Sequence, residues 1–367
     1  RVLYDHTIFQ QRYGGISRYF YELIKRLACF DDIDVNVFMG FFVNEYGLES
    51  LKDKFANFGG HRTPCISKTG FIRRFASDMA WNNFQSRVPY DKSNIYHPTY
   101  YNFYKTNIAK KIFTVYDFTH EKYSEMFRND HTAQSKKEAF AAADGLICIS
   151  NSTKKDLLEL YDLDSSCDVA VIHLGYNDLS DKTDPKAVLP DAPYLLFVGN
   201  RSHYKNFTCL VDAYAASSDL KKDFALACLG PSFSAEENEL FKRYGILDKI
   251  HHYAGGDGLL GTLYKHARAF VYPSLYEGFG LPPLEAMNCG CPVVAGNSSS
   301  IPEVTGDAAL LFDPASSESL MDALRGVAYD DDRRSAMITA GKERCKLFSW
   351  DRCASETYEF YQKIISE

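Results

Sequence analysis

Two glutamates eight positions apart, Glu277 and Glu285, flank the run Gly278-Phe279-Gly280-Leu281-Pro282-Pro283-Leu284. Ionised carboxylates accept hydrogen bonds and donate none, which suits them to the vicinal hydroxyls of a ribose or a hexose. Prolines at the start of a helix pre-set its φ and omit an amide that would have no partner there. The amides of Phe279, Gly280, Leu281 and Leu284 can then point at an anion, and Gly278 and Gly280 let it come close to the backbone. A second charged set, Arg201 and Lys205, follows the apolar run 194–198 and Gly199. The planar fork of Arg and the point charge of Lys can meet a pyrophosphate in place of a metal. Each feature alone has a plainer reading, since an acid early in a helix offsets the helix dipole and isolated surface cations are solvated.

The elements that would position these residues read as α/β, because short apolar runs of strand type alternate with helical patterns from end to end. Strands are expected at 2–4, 35–39, 94–97, 111–115, 145–149 and 169–173, with an amphipathic helix at 16–28 and another at 153–161 behind the cap Ser150-Asn151-Ser152. The polar, proline-bearing stretch 177–192 reads as a linker between a first domain, 1–176, and a second, 193–348. The second domain repeats the alternation, with strands at 194–198, 224–229, 250–253, 269–272, 292–295 and 309–312. A last helix within 349–367 is long enough to return to the first domain. In such open sheets ligands bind beyond the strand C-termini, which is where both charged sets fall.

Composition narrows the function classes. The 367 residues are 46% hydrophobic and 24% charged, which excludes disorder as the main theme, and a net charge of −7 advertises no nucleic acid. No apolar run approaches the ~20 residues of a spanning helix, and the start Arg1-Val2-Leu3-Tyr4-Asp5 has no signal-peptide pattern, so a cytoplasmic chain is expected. The ten cysteines are scattered without C-x-x-C and read as reduced thiols. No metal motif occurs, and the acidic runs at Asp31-Asp32-x-Asp34 and Asp330-Asp331-Asp332 read as solvated turns. Aromatic clusters such as the one over 96–104 read first as packing. Gly256-Asp257-Gly258-Leu259-Leu260-Gly261 satisfies G-x-G-x-x-G with Glu277 about 20 residues on, the outline of a dinucleotide fingerprint. Its place deep in the second domain argues against that use and leaves the backbone of 255–258 to read a nucleobase.

The full context of the two glutamates is Tyr272-Pro273-Ser274-x-x-Glu277-Gly278-Phe279-Gly280-Leu281-Pro282-Pro283-Leu284-Glu285-Ala286-Met287-x-Cys289-Gly290-x-Pro292-Val293-Val294. It resembles the signature of glycosyltransferase family 4, retaining enzymes of the GT-B fold, in which two Rossmann-like α/β domains face a central cleft. The likeness extends along nearly the whole chain through Tyr13-Gly14-Gly15-Ile16-Ser17-Arg18-Tyr19, Phe197-Val198-Gly199-Asn200-Arg201 with Tyr204-Lys205-Asn206, Ile172-His173-Leu174-Gly175, Ser298-Ser299-Ser300-Ile301-Pro302-Glu303-Val304 and Phe348-Ser349-Trp350. The resemblance implies that Arg201 and Lys205 hold the diphosphate of a nucleotide sugar, Glu285 the ribose and Glu277 the hydroxyls of the donor sugar. Gly15 would approach the phosphate from the other domain. It further implies transfer without a metal or other cofactor, the leaving diphosphate itself taking the acceptor's proton. Many family members carry His immediately before the Asp of Asp117, where this chain has Tyr116. Asp117 therefore joins Arg201, Lys205 and Glu277 as a catalytic candidate, and His97, Tyr116 and His120 are candidates on the acceptor side. The opening 4–20 is similar to a bacterial surface-polysaccharide branch of mannosyl transferases using GDP-sugars. That similarity implies a growing glycan or lipid-linked oligosaccharide as acceptor and a peripheral place on the inner face of the cell membrane. The basic, aromatic segments 71–75 and 105–111 are the candidates for membrane contact. A nucleotide-sugar epimerase or a non-catalytic nucleotide-sugar-binding protein is the alternative from another class, and product analysis with and without an acceptor separates them.

Overall fold

In the computed structural model, which describes residues 1–65, 69–87, 94–104, 110–128, 130–201 and 203–366, the chain divides into two units, Arg1–Leu174 with Trp350–Glu367 and Gly175–Ser349. The first unit runs β1 (Val2–Tyr4), α1 (Gly15–Leu27), β2 (Val35–Phe42), β3 (Asn57–Arg62), α2 (Gly70–Gln85), β4 (Ile95–Tyr96), β5 (Lys110–Val115), α3 (Thr119–Lys122), α4 (Thr132–Ala141), β6 (Gly145–Cys148), α5 (Asn151–Leu160) and β7 (Asp168–Val171). Its strands pair in parallel in the order β3-β2-β1-β4-β5-β6-β7. Helices cover both faces of such a sheet, so the central strands read as unbroken apolar runs; β1 and β6 are buried at every position.

The second unit runs β8 (Tyr194–Val198), α6 (Phe207–Ala216), α7 (Ser218–Asp223), β9 (Ala225–Leu229), α8 (Ala235–Arg243), β10 (Ile250–Tyr253), α9 (Asp257–His266), β11 (Ala269–Tyr272), α10 (Leu281–Asn288), β12 (Val293–Gly296), α11 (Ile301–Thr305), β13 (Ala309–Phe312), α12 (Ser317–Ala328) and α13 (Asp331–Cys345). Its sheet is also parallel, in the order β10-β9-β8-β11-β12-β13. The order reverses between β8 and β11, and that switch point is where an open α/β sheet binds its ligand. Leu195, Phe197, Leu226, Val271 and Val294 from the sheet form one core with Leu210, Tyr214 and Leu324 from the helices.

The chain then returns to the first unit as α14 (Trp350–Ser366), whose Tyr361 hydroxyl lies 2.9 Å from that of Tyr4. No helix among the described residues is long and apolar enough to cross a membrane, and all ten cysteines are free.

Three sequence readings need revision. The stretch 177–192, read as a linker, is packed into the second unit: Leu179 is buried and the Asp184 amide donates to Thr262 Oγ1 at 2.8 Å. It looks like a linker because its polar side chains bond locally, Asp178 Oδ1 accepting from the Ser180 amide at 2.8 Å. Gly258 and Gly261 serve the same packing. A Cβ at Gly261 would lie 2.5 Å from the Lys182 carbonyl oxygen and 2.8 Å from that of Leu179, so the fingerprint spacing here reflects close approach of a protein segment. Finally, β3 and α2 were not expected, since β3 carries two adjacent glycines and little alternation. In α2 the largest apolar side chains lie on two opposite faces, which blurs the helical period.

Candidate active site

Two loops meet at the switch point of the second sheet. The one after β8 carries Lys205, and the one after β11 carries Glu277. Lys205 Nζ donates to Glu277 Oε1 at 2.7 Å, so the expected cation and the expected sugar-binding acid are partners. Their positions are set by the backbone. Asn206 takes the left-handed conformation at φ 56°, one that Asn tolerates better than most residues, and its Nδ2 donates to the carbonyls of Pro273 and Pro314 at 3.1 and 2.8 Å. The Leu275 amide donates to the Tyr204 carbonyl at 2.8 Å, a further link between the two loops.

The serine run after β12 holds the Glu277 loop from the other side. The Glu277 amide donates to Ser299 Oγ at 2.8 Å, while Ser300 Oγ donates to the carbonyls of Glu277 and Phe279 at 2.9 and 2.7 Å. Beneath the pair lies Tyr272, whose phenol is pushed well above its ordinary value, first by burial and then by the Glu277 carboxylate.

Gly278, Phe279 and Gly280 lead into α10, with Gly280 as N-cap at φ 115°, a conformation open to glycine. Leu281 is the first helical residue and the two prolines follow, so the Leu281 amide is the first free donor at this end. Glu285, one turn further in, is 6% exposed and accepts from Asn177 Nδ2 at 3.1 Å. Its charge adds to burial in raising the Cys289 thiol to about 12.

Arg201 does not stand with Lys205. Its Nε donates to Glu237 Oε1 at 2.5 Å and its Nη2 to Glu237 Oε2 and the Ser232 carbonyl at 3.2 and 2.9 Å. The guanidinium sits over the rings of Phe233 and Phe207 and is almost enclosed. Glu237 is the third residue of α8 and also closes a capping box with Ser234, so the arginine ties the β8 loop to a helix start.

The first unit places its candidates differently. Gly15 opens α1, exposed, with room around it: a Cβ there would meet nothing within 4 Å. His97 is wholly buried. Its Nε2 lies 2.9 Å from Thr114 Oγ1 and its Nδ1 against the Tyr361 hydroxyl, and burial lowers its pKa to about 3. An imidazole without exposed surface cannot meet an acceptor, so His97 is a packing residue at the crossing of β4, β5 and α14. Tyr116 is also buried, its ring edge-on to Tyr19 and Tyr101. His120 rests on Phe127 at 4.3 Å between centroids, with Nε2 3.6 Å from Asp130 Oδ2. Asp117 remains accessible, and its Oδ1 accepts from the Thr119 amide at 3.0 Å. Among the described residues no group of three or more His, Cys, Asp or Glu is placed to hold a metal ion.

Residues 180–344 match the family of glycosyl transferases group 1. The O-antigen chain mannosyltransferase B of Escherichia coli is 29% identical over 372 residues, 95% of this chain and 96% of that protein. The chain is a glycosyltransferase, and the group 1 likeness lies in its second unit. The serotype-specific mannosyltransferase WbdA of Escherichia coli is 27% identical over 248 residues, a match that takes in 63% of this chain and 30% of WbdA. Among solved structures, the sucrose-phosphate synthase of Thermosynechococcus elongatus superposes with a TM-score of 0.75 at 19% identity, covering 100% of this chain and 99% of that one. That likeness shows the GT-B fold of the glycosyltransferase.

Several residues that shape the sites of this glycosyltransferase escaped sequence reasoning. Asn177, the partner of Glu285, lay inside the supposed linker. The side chain of Lys136 is almost fully buried; its Nζ donates to the Asp117 carbonyl at 2.7 Å and to Glu121 Oε2 at 2.9 Å, beneath the rings of Tyr101 and Phe118. A buried lysine with that many partners positions what it touches, here the backbone at Asp117. Only the Ser298-Ser299-Ser300 run carried a visible signal, as part of the family likeness.

Proposed function

We propose that this glycosyltransferase moves a mannosyl or related hexosyl unit from a GDP-sugar, with retention and without a metal, to a hydroxyl of a growing surface glycan or lipid-linked oligosaccharide. The observation that carries the reading is the Lys205–Glu277 pair at the switch point, with the buried Glu285 on the helix that starts beside it. The donor's diphosphate takes over the charge of Lys205 and the Leu281 amide. Glu277, released from the ion pair, then accepts from the hydroxyls of the hexose, and Glu285, steadied by Asn177, accepts from those of the ribose.

In the transfer step the bond from the anomeric carbon to the phosphate oxygen breaks and the acceptor oxygen bonds to that carbon on the same face. The acceptor's proton passes to the departing phosphate oxygen. Lys205 stabilises the charge that grows there, and a fixed donor of this kind contributes about 3 kcal/mol. In this reading Arg201, compensated by Glu237, braces the loop that presents Lys205. Mannose and an O-antigen-type acceptor are favoured by the names of the relatives. The lipid of the acceptor places the enzyme peripherally on the inner face of the cell membrane.

The test is turnover of GDP-mannose against UDP-, ADP- and dTDP-sugars with a glycan acceptor, in excess EDTA, with the anomeric configuration of the product read by NMR. An α-linked product from an α-linked donor, undiminished by chelation, is expected. Sugar inversion without acceptor would reveal an epimerase instead, and activity lost in EDTA and restored by Mg²⁺ would refute the metal-free step.

A further inference from the structure

We propose that the outer face of α2 is a docking surface for an anionic lipid bilayer. The helix is anchored by its inner face. Ser77 Oγ accepts from the Phe41 amide at 2.8 Å, and Trp81 and Phe84 pack on Phe38 in the core of the first unit. The opposite face should then be polar, as on any surface helix. Instead Phe71 is 80% exposed, Ile72 66%, Phe75 58% and Met79 67%. Phe71, Phe75 and Met79 follow each other at four-residue steps and Ile72 stands beside them, so the four make one continuous apolar stripe. Single exposed apolar residues need no explanation, whereas a contiguous set of large ones marks a contact surface.

Charge selects the occupant. Residues 70–87 carry three arginines, Arg73, Arg74 and Arg87, against one acid, Asp78, in a chain of net charge −7. Asp78, one turn after Arg74 and at the edge of the stripe, is engaged by the Tyr104 hydroxyl and lies 3.3 Å from His6 Nε2. Arg74 and Arg87 are exposed, and Arg73, half-buried, bonds back to Thr69 Oγ1 at 2.7 Å. Apolar side chains with an exposed arginine, Arg74, at their edge and an arginine excess nearby suit a helix lying among anionic headgroups. A two-fold contact with a second copy through the same stripe would set arginines against arginines, which disfavours that occupant. Of the two segments singled out from the sequence, 71–75 forms part of this face, and residues 105–109 lie outside the described residues.

The surface deepens the membrane placement proposed above but can be tested apart from transfer. The full chain is sedimented with phosphatidylglycerol–phosphatidylcholine vesicles and with phosphatidylcholine vesicles, at low and high salt. Binding to the anionic vesicles that weakens with salt is expected, since exposed charges are screened. The triple variant Phe71→Ser, Phe75→Ser, Met79→Ser and the double variant Arg73→Glu, Arg74→Glu should each bind at least about tenfold more weakly. Both should unfold as cooperatively as the parent and keep full transfer to a water-soluble acceptor. The proposal is overturned if the unmodified chain stays in solution at low salt, if the triple variant binds like the parent, or if the stripe instead holds a dimer that the triple variant dissociates.

Discussion

If Lys205 is the donor's cation, the diphosphate must take it from Glu277, and the two single variants should act in opposite directions on nucleotide binding. At 2.7 Å two unit charges attract by about 6 kcal/mol in an effective dielectric of 20. Both side chains are mostly shielded from solvent, so much of that is offset by desolvation, leaving about 1.5–3 kcal/mol for a charged hydrogen bond. Lys205→Met removes the cation, and GDP affinity should fall by the same amount, roughly 10- to 150-fold. Glu277→Gln removes the competitor. GDP should then bind as well as before or up to about tenfold tighter, while transfer falls about 100-fold because the hexose has lost its acceptor. Calorimetric titration with GDP gives the affinities, turnover of the sugar donor gives the rates, and thermal melts show that both variants are folded. Equal losses of GDP affinity in the two variants, or no loss in Lys205→Met, would refute the exchange.

Three other perturbations probe the surrounding structure. Glu285→Ala should weaken GDP by about 1.5–3 kcal/mol through the lost ribose contacts; unchanged affinity in the same titration removes that role. Gly261→Ala drives a Cβ into the carbonyls of Lys182 and Leu179 and should destabilise the second unit by about 1–3 kcal/mol in urea unfolding, whereas a silent substitution would mean that 177–192 is not packed as described. His97 titrates near 3 when folded and near 6.5 when free, so between those values the unfolded chain holds a proton that the folded one does not. Stability should therefore fall as pH drops through that window, by ~1.4 kcal/mol per pH unit, and His97→Gln should flatten the slope in urea titrations at several pH values; an unaltered slope would exclude His97 as its source.

Local sequence was enough for most of the architecture. Strands such as Tyr194–Val198 and Ala269–Tyr272 coincide with their apolar runs, because a strand covered on both faces must be apolar at nearly every position. The loop from Gly278 to Pro283 was equally legible, since proline and glycine restrict or free the backbone wherever they occur. The pairing of side chains was not, because it depends on elements far apart in the chain. Arg201 and Lys205 have similar chemistry and lie four positions apart, yet one meets Glu237 on α8 and the other Glu277 beyond β11. His97 ends a strand, as a catalytic histidine often does, but α14 returns from the far end of the chain to bury it against Tyr361. The polar stretch 177–192 gave no hint that Leu179 is buried, because the carbonyls of Leu179 and Lys182 close on Gly261, about eighty positions away. Backbone preference is carried by each residue and its neighbours; which charge is compensated, and which group stays open to a ligand, was decided only when the sheets closed.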